Sequence, residues 1–429
     1  MRFVFAPPAP ESAGLLTLPW TTPLEDWRDP RLVTPRNAGL HRHVVRFVSE
    51  GGTLWVVKEL PEHLARREYR LLRRLADLGI PAVEVLGIAV ARGPDMEAAL
   101  VTRYLDFSTT YRALFSQPRG LHPRARLIDA LVELLVRLHL SGFFWGDCSL
   151  SNTLFRLDAG ALAAYIVDVE TSELHPSLSD GQREMDLELA GEKIAGELLD
   201  LEAGGLLATG VDPLGVATEL TAGYHALWEE LTGEWEVAPG QERESVGERI
   251  ARLNDLGFDV DEVELVADSP GGAARLRVTT RVREPGHHRA LLHRRTGLVA
   301  QENQARRLLN DLSSFRAWLE SSGDAPIPEA VAANRWLAEV FDPVVHAIPP
   351  DLAGKLDPVE VFHEVLEHRW LLSERAGRDV GTVEAAASYL SDVLPEVPDD
   401  LTSGPGLLVE GAGEEGAGVD DVDARGGEV

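Results

Sequence analysis

Asp147, Asn152 and Asp168 are the residues of this chain whose types and spacing could do chemistry. Asp147 stands five residues before Asn152, on a loop that follows a helical pattern, and Asp168 ends the apolar, β-rich run Ala-Tyr-Ile-Val. A carboxylate, an amide and a second carboxylate on neighbouring loops can hold a hydroxyl nucleophile and magnesium against a nucleotide triphosphate. The Asp-x4-Asn spacing alone arises by chance roughly once in a chain of this length, so the surrounding residues decide its weight.

The elements that must position these residues are legible from periodicity. Residues 42–60 read as a β-hairpin turning at Ser-Glu-Gly-Gly. A helix is expected over 62–78, where Leu64, Leu71, Leu72, Leu75 and Leu78 form one stripe and Gly79-Ile-Pro81 stops it. Strands are expected at 83–90 and 98–105, and a leucine-faced helix at 123–141. Two short strands, 153–157 and 163–168, flank an Asp158-Ala-Gly160 turn, and helices dominate from 181 to 231. This places Asp147 after a helix, Asn152 before a strand and Asp168 at a strand end.

Bulk properties bound the rest. The chain has 429 residues, a hydrophobic fraction of 44% and a formal net charge of -29. Length suggests two to three domains. The charge argues against general attraction to nucleic acid or anionic lipid. No apolar run reaches the length of a membrane span, and the single Cys148 fits a reducing cytoplasm. Only Lys58, Lys193 and Lys355 are lysine; the other 38 of the 41 basic residues are arginine. Where arginine would serve, this chain uses it. Lys58, the only lysine in the first 192 residues, therefore gains weight as a position suited to a compact ammonium.

Four pieces together carry a resemblance. They are Val-Val-Lys58-Glu, the helix around Arg-Arg-Glu68-Tyr-Arg-Leu-Leu, Leu-His139-Leu-Ser-Gly-Phe-Phe-Trp-Gly-Asp147 with Asn152, and Ile-Val-Asp168-Val-Glu170. Residues 40 to about 232 resemble the protein-kinase-like superfamily, and within it the bacterial lipopolysaccharide kinases that phosphorylate heptose or Kdo. The whole chain resembles an uncharacterised actinobacterial family in which such a domain precedes one of unknown function, with Arg283 to Leu319 most like the second domain. The resemblance implies an α+β, bilobal kinase-like domain with a small β-rich N-lobe and a helical C-lobe. A smaller α+β, mostly helical domain and a disordered acidic tail would follow. The boundaries are an irregular proline-rich arm (1–34), the kinase-like domain (35–235), the C-terminal domain (236–400) and the tail (401–429).

Roles follow position by position. Lys58 would meet the α/β-phosphates of ATP, and Glu68 would hold Lys58 by an ion pair. Glu68 lies on the inward leucine stripe, where a carboxylate needs a partner. Asp147 would orient the acceptor hydroxyl and take its proton, and Asn152 and Asp168 would hold Mg²⁺, with Glu170 assisting the metal or facing solvent. Asp186 would anchor the catalytic loop or serve as a helix N-terminal acid. Against these stand plain readings as turn and surface residues.

Several departures from the kinase pattern matter. The only candidate phosphate loop, Pro35 to Leu40, has one glycine, Gly39. Trp145 and Gly146 stand where histidine and arginine are usual, and no Ala-Pro-Glu segment follows Asp168. The expected activity is ATP- and Mg²⁺-dependent transfer to a hydroxyl of a small molecule or glycolipid. The alternatives are a pseudokinase that binds nucleotide or partners through its C-terminal domain, and an aminoglycoside-type phosphotransferase.

Farther on, the sequence predicts a helix at 241–256, strands at 260–267 and 274–283, and an arginine-rich loop. Arg281, Arg283, His287, His288, Arg289, His293, Arg294 and Arg295 form the densest cationic cluster, which would bind an anionic substrate group or acidic parts of the same chain. His363 and His368 are five apart and cannot form a zinc-protease face. Trp318, Trp336 and Trp370 are expected in the core.

Overall fold

The computed structural model describes residues 1–5, 10–35, 43–116, 124–237, 262–267, 274–279, 286–321, 326–397 and 408–409. The first lobe is an antiparallel sheet. Its strands are β1 (Arg2–Phe5), β2 (Leu32–Pro35), β3 (Val45–Glu50), β4 (Thr53–Leu60), β5 (Val85–Val90) and β6 (Ala98–Arg103), in spatial order β1-β5-β6-β4-β3-β2. The β3–β4 hairpin turns on Gly51 and Gly52, both at positive φ, as a two-residue turn between twisted strands requires. Helix α1 (Glu62–Asp77) packs its leucine stripe on one sheet face, burying Ala65, Glu68, Tyr69, Leu72 and Leu75.

The proline-rich N-terminal segment covers the other face. Its short extended pieces are real, but it is not an appended arm: β1 and β2 are strands of the sheet. Leu15, Trp20, Leu24 and Trp27 are buried against Val48, Trp55 and Val57. Arg92, almost fully buried, ties it down by donating to the Trp20 and Thr22 carbonyls and pairing with Glu59. Proline breaks periodicity, so spacing conceals this packing.

The second lobe contains α2 (Tyr111–Ser116), α3 (Arg124–Leu140), α4 (Asp180–Ala203) and α5 (Pro213–Thr232). Around them lie β7 (Ser108–Thr110), β8 (Phe143–Phe144), β9 (Thr153–Asp158), β10 (Ala161–Ile166) and β11 (Glu173–Leu174). The β9–β10 hairpin reaches under the first lobe. Val83 N donates to Ile166 O at 2.9 Å and Ile166 N to Pro81 O at 3.1 Å. One apolar core runs from α1 and β5 through α3, α4 and α5. The fold is α+β, bilobal and kinase-like, as expected.

After β12 (Glu234–Val237), β13 (Glu262–Ala267) and β14 (Ala274–Thr279), which form a small antiparallel sheet, the C-terminal part is helical. It comprises α6 (His287–Thr296), α7 (Glu302–Ser321), α8 (Glu329–Trp336), α9 (Asp342–His346), α10 (Pro358–Ala376) and α11 (Gly381–Ser388). Much of the arginine-rich stretch is thus the helix α6 rather than a loop, ending at Gly297 in the left-handed conformation. The helix expected at 241–256 lies outside the described residues, as do Arg281 and Arg283. Trp336 is fully buried, but Trp318 and Trp370 are 58% and 64% exposed, contrary to the expectation of core positions. Each sits on a helix whose other face carries the core leucines and valines, so a leucine-containing window did not fix their side. Of the tail, only Leu408–Val409 is described, paired with Pro35 and Thr34.

The two parts meet at the β9–β10 turn. Ala159 and Gly160 both have positive φ, and Ala159 is there at a cost of about 1–2 kcal/mol. Glu360, in the first turn of α10, accepts the backbone N–H groups of Ala159 and Gly160 at 2.8 and 2.9 Å, and Gln304 Nε2 at 2.6 Å. Asp158 in turn caps α7, accepting Gln304 N and Asn303 N at 2.7 and 3.1 Å. Both carboxylates sit at helix N-termini, where the dipole favours negative charge. Asp158, Gln304 and Glu360 are buried, so this polar network is shielded from water and fully cross-linked.

Candidate active site

Side chains alternate along β4, so Lys58 shares a face with Leu60, toward α1 and the interlobe cleft, while Val57 faces the N-terminal layer. Lys58 Nζ donates to Glu68 Oε2 at 3.0 Å and Oε1 at 3.3 Å, and to Asp168 Oδ2 at 2.7 Å. Three groups expected from the sequence to act together are therefore in contact, across 110 residues of chain. One ammonium serves two carboxylates. Burial pulls the Lys58 pKa down, but Glu68 and Asp168 more than reverse this and hold it above its ordinary value. Burial, with the nearby Asp168 charge, pushes the Glu68 carboxyl up to about 7, against the pull of Lys58. Arg67, next to Glu68, donates to Ser172 O at 2.7 Å, which docks α1 onto the segment after Asp168.

The Asp147–Asn152 loop is fixed from α4. Asp186 accepts Trp145 N at 2.7 Å and Gly146 N at 2.8 Å, and also meets His139 Nε2 at 3.1 Å. Asp186 is thus the anchor rather than a simple helix-end acid. Glu197, eleven residues on, accepts Leu150 N and Ser151 N at 2.7 and 3.1 Å. Lys193, between them, forms an ion pair with Asp147 Oδ1. Residues 186, 193 and 197 share one stripe of a helix, so α4 holds both ends of the loop. Gly146, just before Asp147, has φ +72, a conformation that L side chains rarely adopt. Trp145, in the usual histidine position, is buried and donates Nε1 to Asp168 O at 3.2 Å. The sequence did not single out Lys193 or Glu197. Lysine's scarcity was a signal for the first; nothing marked the second.

Asn152 and Asp168 are brought together by the hairpin, where Val167 N donates to Asn152 O at 3.0 Å. Their donor set fits a hard divalent cation. Asn152 spends its Nδ2 on Asp147 O at 3.2 Å, which leaves Oδ1 as an acceptor. Asp168 accepts Glu170 N at Oδ1, 2.8 Å, and Lys58 at Oδ2, and a carboxylate retains further lone pairs. Glu170 Oε2 meets His43 Nε2 at 3.0 Å. Among the described residues no group of three or more His, Cys, Asp and Glu side chains forms a metal cage. Magnesium in such a setting takes its remaining ligands from phosphate and water. Gly39 and its loop beyond Pro35 lie outside the described residues.

The arginine cluster of α6 is largely engaged within the chain. Arg289 Nε lies 3.6 Å from Glu302, His288 Nδ1 lies 2.8 Å from the same carboxylate, and Arg295 pairs with Glu329. Hydrogen bonds from His288 and Arg289 outweigh the effect of burial and hold Glu302 below its ordinary pKa. Of the two readings of the cluster, these contacts favour the intramolecular one; Arg294 is exposed. Cys148 is fully buried, and burial pushes its thiol well above the ordinary range, as an inert thiol requires.

The two lobes have the arrangement of a kinase-like fold. Residues 52–190 match the family model of the lipopolysaccharide kinase (Kdo/WaaP) family, and residues 226–394 match a domain of unknown function, DUF4032. The resemblance read from the motifs is thus borne out over both parts. No curated protein matches the chain. Among solved structures it is similar to one described as WaaP in complex with acyl carrier protein. That match has 17% identity, covers 60% of this chain and 99% of that one, and has a TM-score of 0.35, too loose a superposition to bear on the site. No helix among the described residues is long and apolar enough to cross a membrane.

Proposed function

We propose that the kinase-like part transfers the γ-phosphoryl group of ATP to a hydroxyl of a small molecule or glycolipid, in a Mg²⁺-dependent reaction. What supports this most is the ammonium of Lys58, bonded at once to Glu68 and Asp168 beside the Asp147–Asn152 loop. Lys58 would hold the α/β-phosphates and Glu68 would keep it extended into the cleft. Asp147 would orient the acceptor hydroxyl and accept its proton. Asn152 and Asp168 would hold the metal, which supplies charge neutralisation at the phosphates. Glu170 would act on the metal only indirectly, through its backbone N–H on Asp168.

The family match supports a sugar hydroxyl, as on a glycolipid, as the acceptor class. A small acceptor also suits the short, fixed segment after Asp168. Ser172 donates to Trp145 O at 3.0 Å, Glu173 and Leu174 pair with β8, and α4 begins at Asp180. That leaves little chain for a phosphorylation-gated loop or an extended peptide groove.

A thermal-shift measurement with ATP and Mg²⁺ tests nucleotide use. A ligand at about 100 times its dissociation constant stabilises by about 2.7 kcal/mol. The native chain should show that rise and Asp168→Ala should lose most of it. No shift in the native chain would favour a pseudokinase that keeps the fold for partner binding.

A further inference from the structure

We infer that Lys193 is a second phosphate-contacting lysine, supplied to the catalytic loop from α4 and directed at the transferring γ-phosphoryl group. The inference rests on the phosphotransferase reading above and extends it to a residue that neither family match covers, since the first ends at 190 and the second begins at 226.

Four observations carry it. Lys193 Nζ is bonded to Oδ1 of Asp147, the residue placed to receive the acceptor's proton. The loop from Phe144 to Asn152 contains no lysine, arginine or histidine, so it brings no cation of its own to the phosphoryl group. Lys58 is committed to Glu68 and Asp168, with its side chain only 15% exposed, whereas Lys193 and Asp147 are 42% and 31% exposed and open to a ligand. Finally, two of the three lysines in a chain that otherwise uses arginine are bonded to residues of the proposed site, Lys58 to Asp168 and Lys193 to Asp147. Lysine is a compact point charge with three rotatable donors, so one ammonium can serve a carboxylate and a phosphoryl oxygen together.

The placement is also rigid. Asp186 and Glu197, on the same stripe of α4, hold the loop's backbone on either side of Asp147. An exposed ion pair is by itself worth little, about 0–1 kcal/mol, so stability does not explain the arrangement. Chemistry does. Transfer leaves charge spread over the equatorial oxygens of the γ-phosphoryl group, next to the Asp147 carboxylate that repels it. In the step, the acceptor oxygen forms a bond to Pγ, and the bond from Pγ to the β,γ-bridging oxygen breaks. ADP departs with that electron pair, and the hydroxyl proton passes to Asp147. Lys193 keeps its protons throughout and offsets the two negative groups.

The test compares Mg²⁺ complexes of AMP-PNP and ADP by calorimetry, using the full chain, Lys193→Met and Lys193→Arg. The native chain should prefer AMP-PNP. Lys193→Met should cut that preference by about tenfold to a hundredfold, the range of one charge-assisted hydrogen bond, with ADP affinity within about twofold of native. Lys193→Arg should recover part of the preference, which a merely structural role would not require. An unchanged preference in Lys193→Met overturns the assignment of Lys193 and leaves the cleft's reading standing. A native chain that binds both nucleotides equally overturns it as well. A native chain that binds neither overturns the phosphotransferase reading and Lys193 with it.

Discussion

Asp147→Asn should lower phosphoryl transfer by about 10²–10⁴-fold, the usual contribution of a positioned base, while MgATP still raises the melting temperature as it does in the native chain. Asparagine preserves the size of the side chain but not its ability to take the acceptor's proton or to pair with Lys193. The residues assigned to nucleotide and metal, Lys58, Asn152 and Asp168, make their contacts with one another through atoms other than the Asp147 carboxylate. Binding should therefore survive. Phosphate release from [γ-³²P]ATP, with water as acceptor, gives the rate without an identified substrate. Native-like release by the variant would remove Asp147 as the base.

Glu360→Ala should destabilise the chain by about 3–5 kcal/mol in urea titrations, a large effect for a single substitution. Alanine removes the acceptor of Ala159 N and Gly160 N and one of the two acceptors of Gln304 Nε2, which keeps Leu157 O at 3.3 Å. Each unsatisfied group costs about 1–3 kcal/mol. It also removes what holds Ala159 in its left-handed conformation. A loss below about 1 kcal/mol would mean that the network contributes little. A pH trend accompanies this. Burial pushes the Asp158 carboxyl up to about 7, although two backbone N–H groups pull it down. A folded pKa above the unfolded value near 3.8 means that the folded chain holds a proton the unfolded chain has lost. Stability from this group is then full at acid pH and falls as pH rises from about 4 to 7. The melting temperature of the native chain should drop more between pH 5 and pH 8 than that of Asp158→Asn. Comparison with the variant separates this from Glu68, which titrates in the same range.

Why some of this was legible in sequence and some was not comes down to the range of each signal. Local periodicity gave α1, α3, the β3–β4 hairpin and the β9–β10 hairpin, because apolar spacing and glycine turns are written within a few residues. The inward position of Glu68 was also local, since it lies on a leucine stripe and needs a cation. Its partner in Lys58 followed from the resemblance. By contrast, Lys193 and Glu197 reach the loop across about 46 residues of chain, and nothing at short range marks a helix acid as an acceptor for a distant backbone. Glu360 looks like an ordinary first-turn carboxylate until the hairpin turn is seen against it. The two exposed tryptophans show the converse. A window of leucines fixes that a helix has a buried face, but not on which side of its edge a large ring falls.

The hairpin clamp adds a physical link between the two halves. The strands held by Glu360 and Gln304 at one end lead directly to Asn152 and Asp168 at the other. The C-terminal part thus braces the very strands from which the proposed metal residues emerge.

A crystal structure of the full chain with AMP-PNP and Mg²⁺ decides whether Lys58, Asn152 and Asp168 form a nucleotide site. It should show the α/β-phosphates on Lys58, a metal about 2.1 Å from oxygens of Asn152 and Asp168, and the γ-phosphoryl group facing Asp147. Nucleotide bound elsewhere, or a cleft that stays closed by Lys58 on Asp168 at saturating nucleotide, would contradict that assignment.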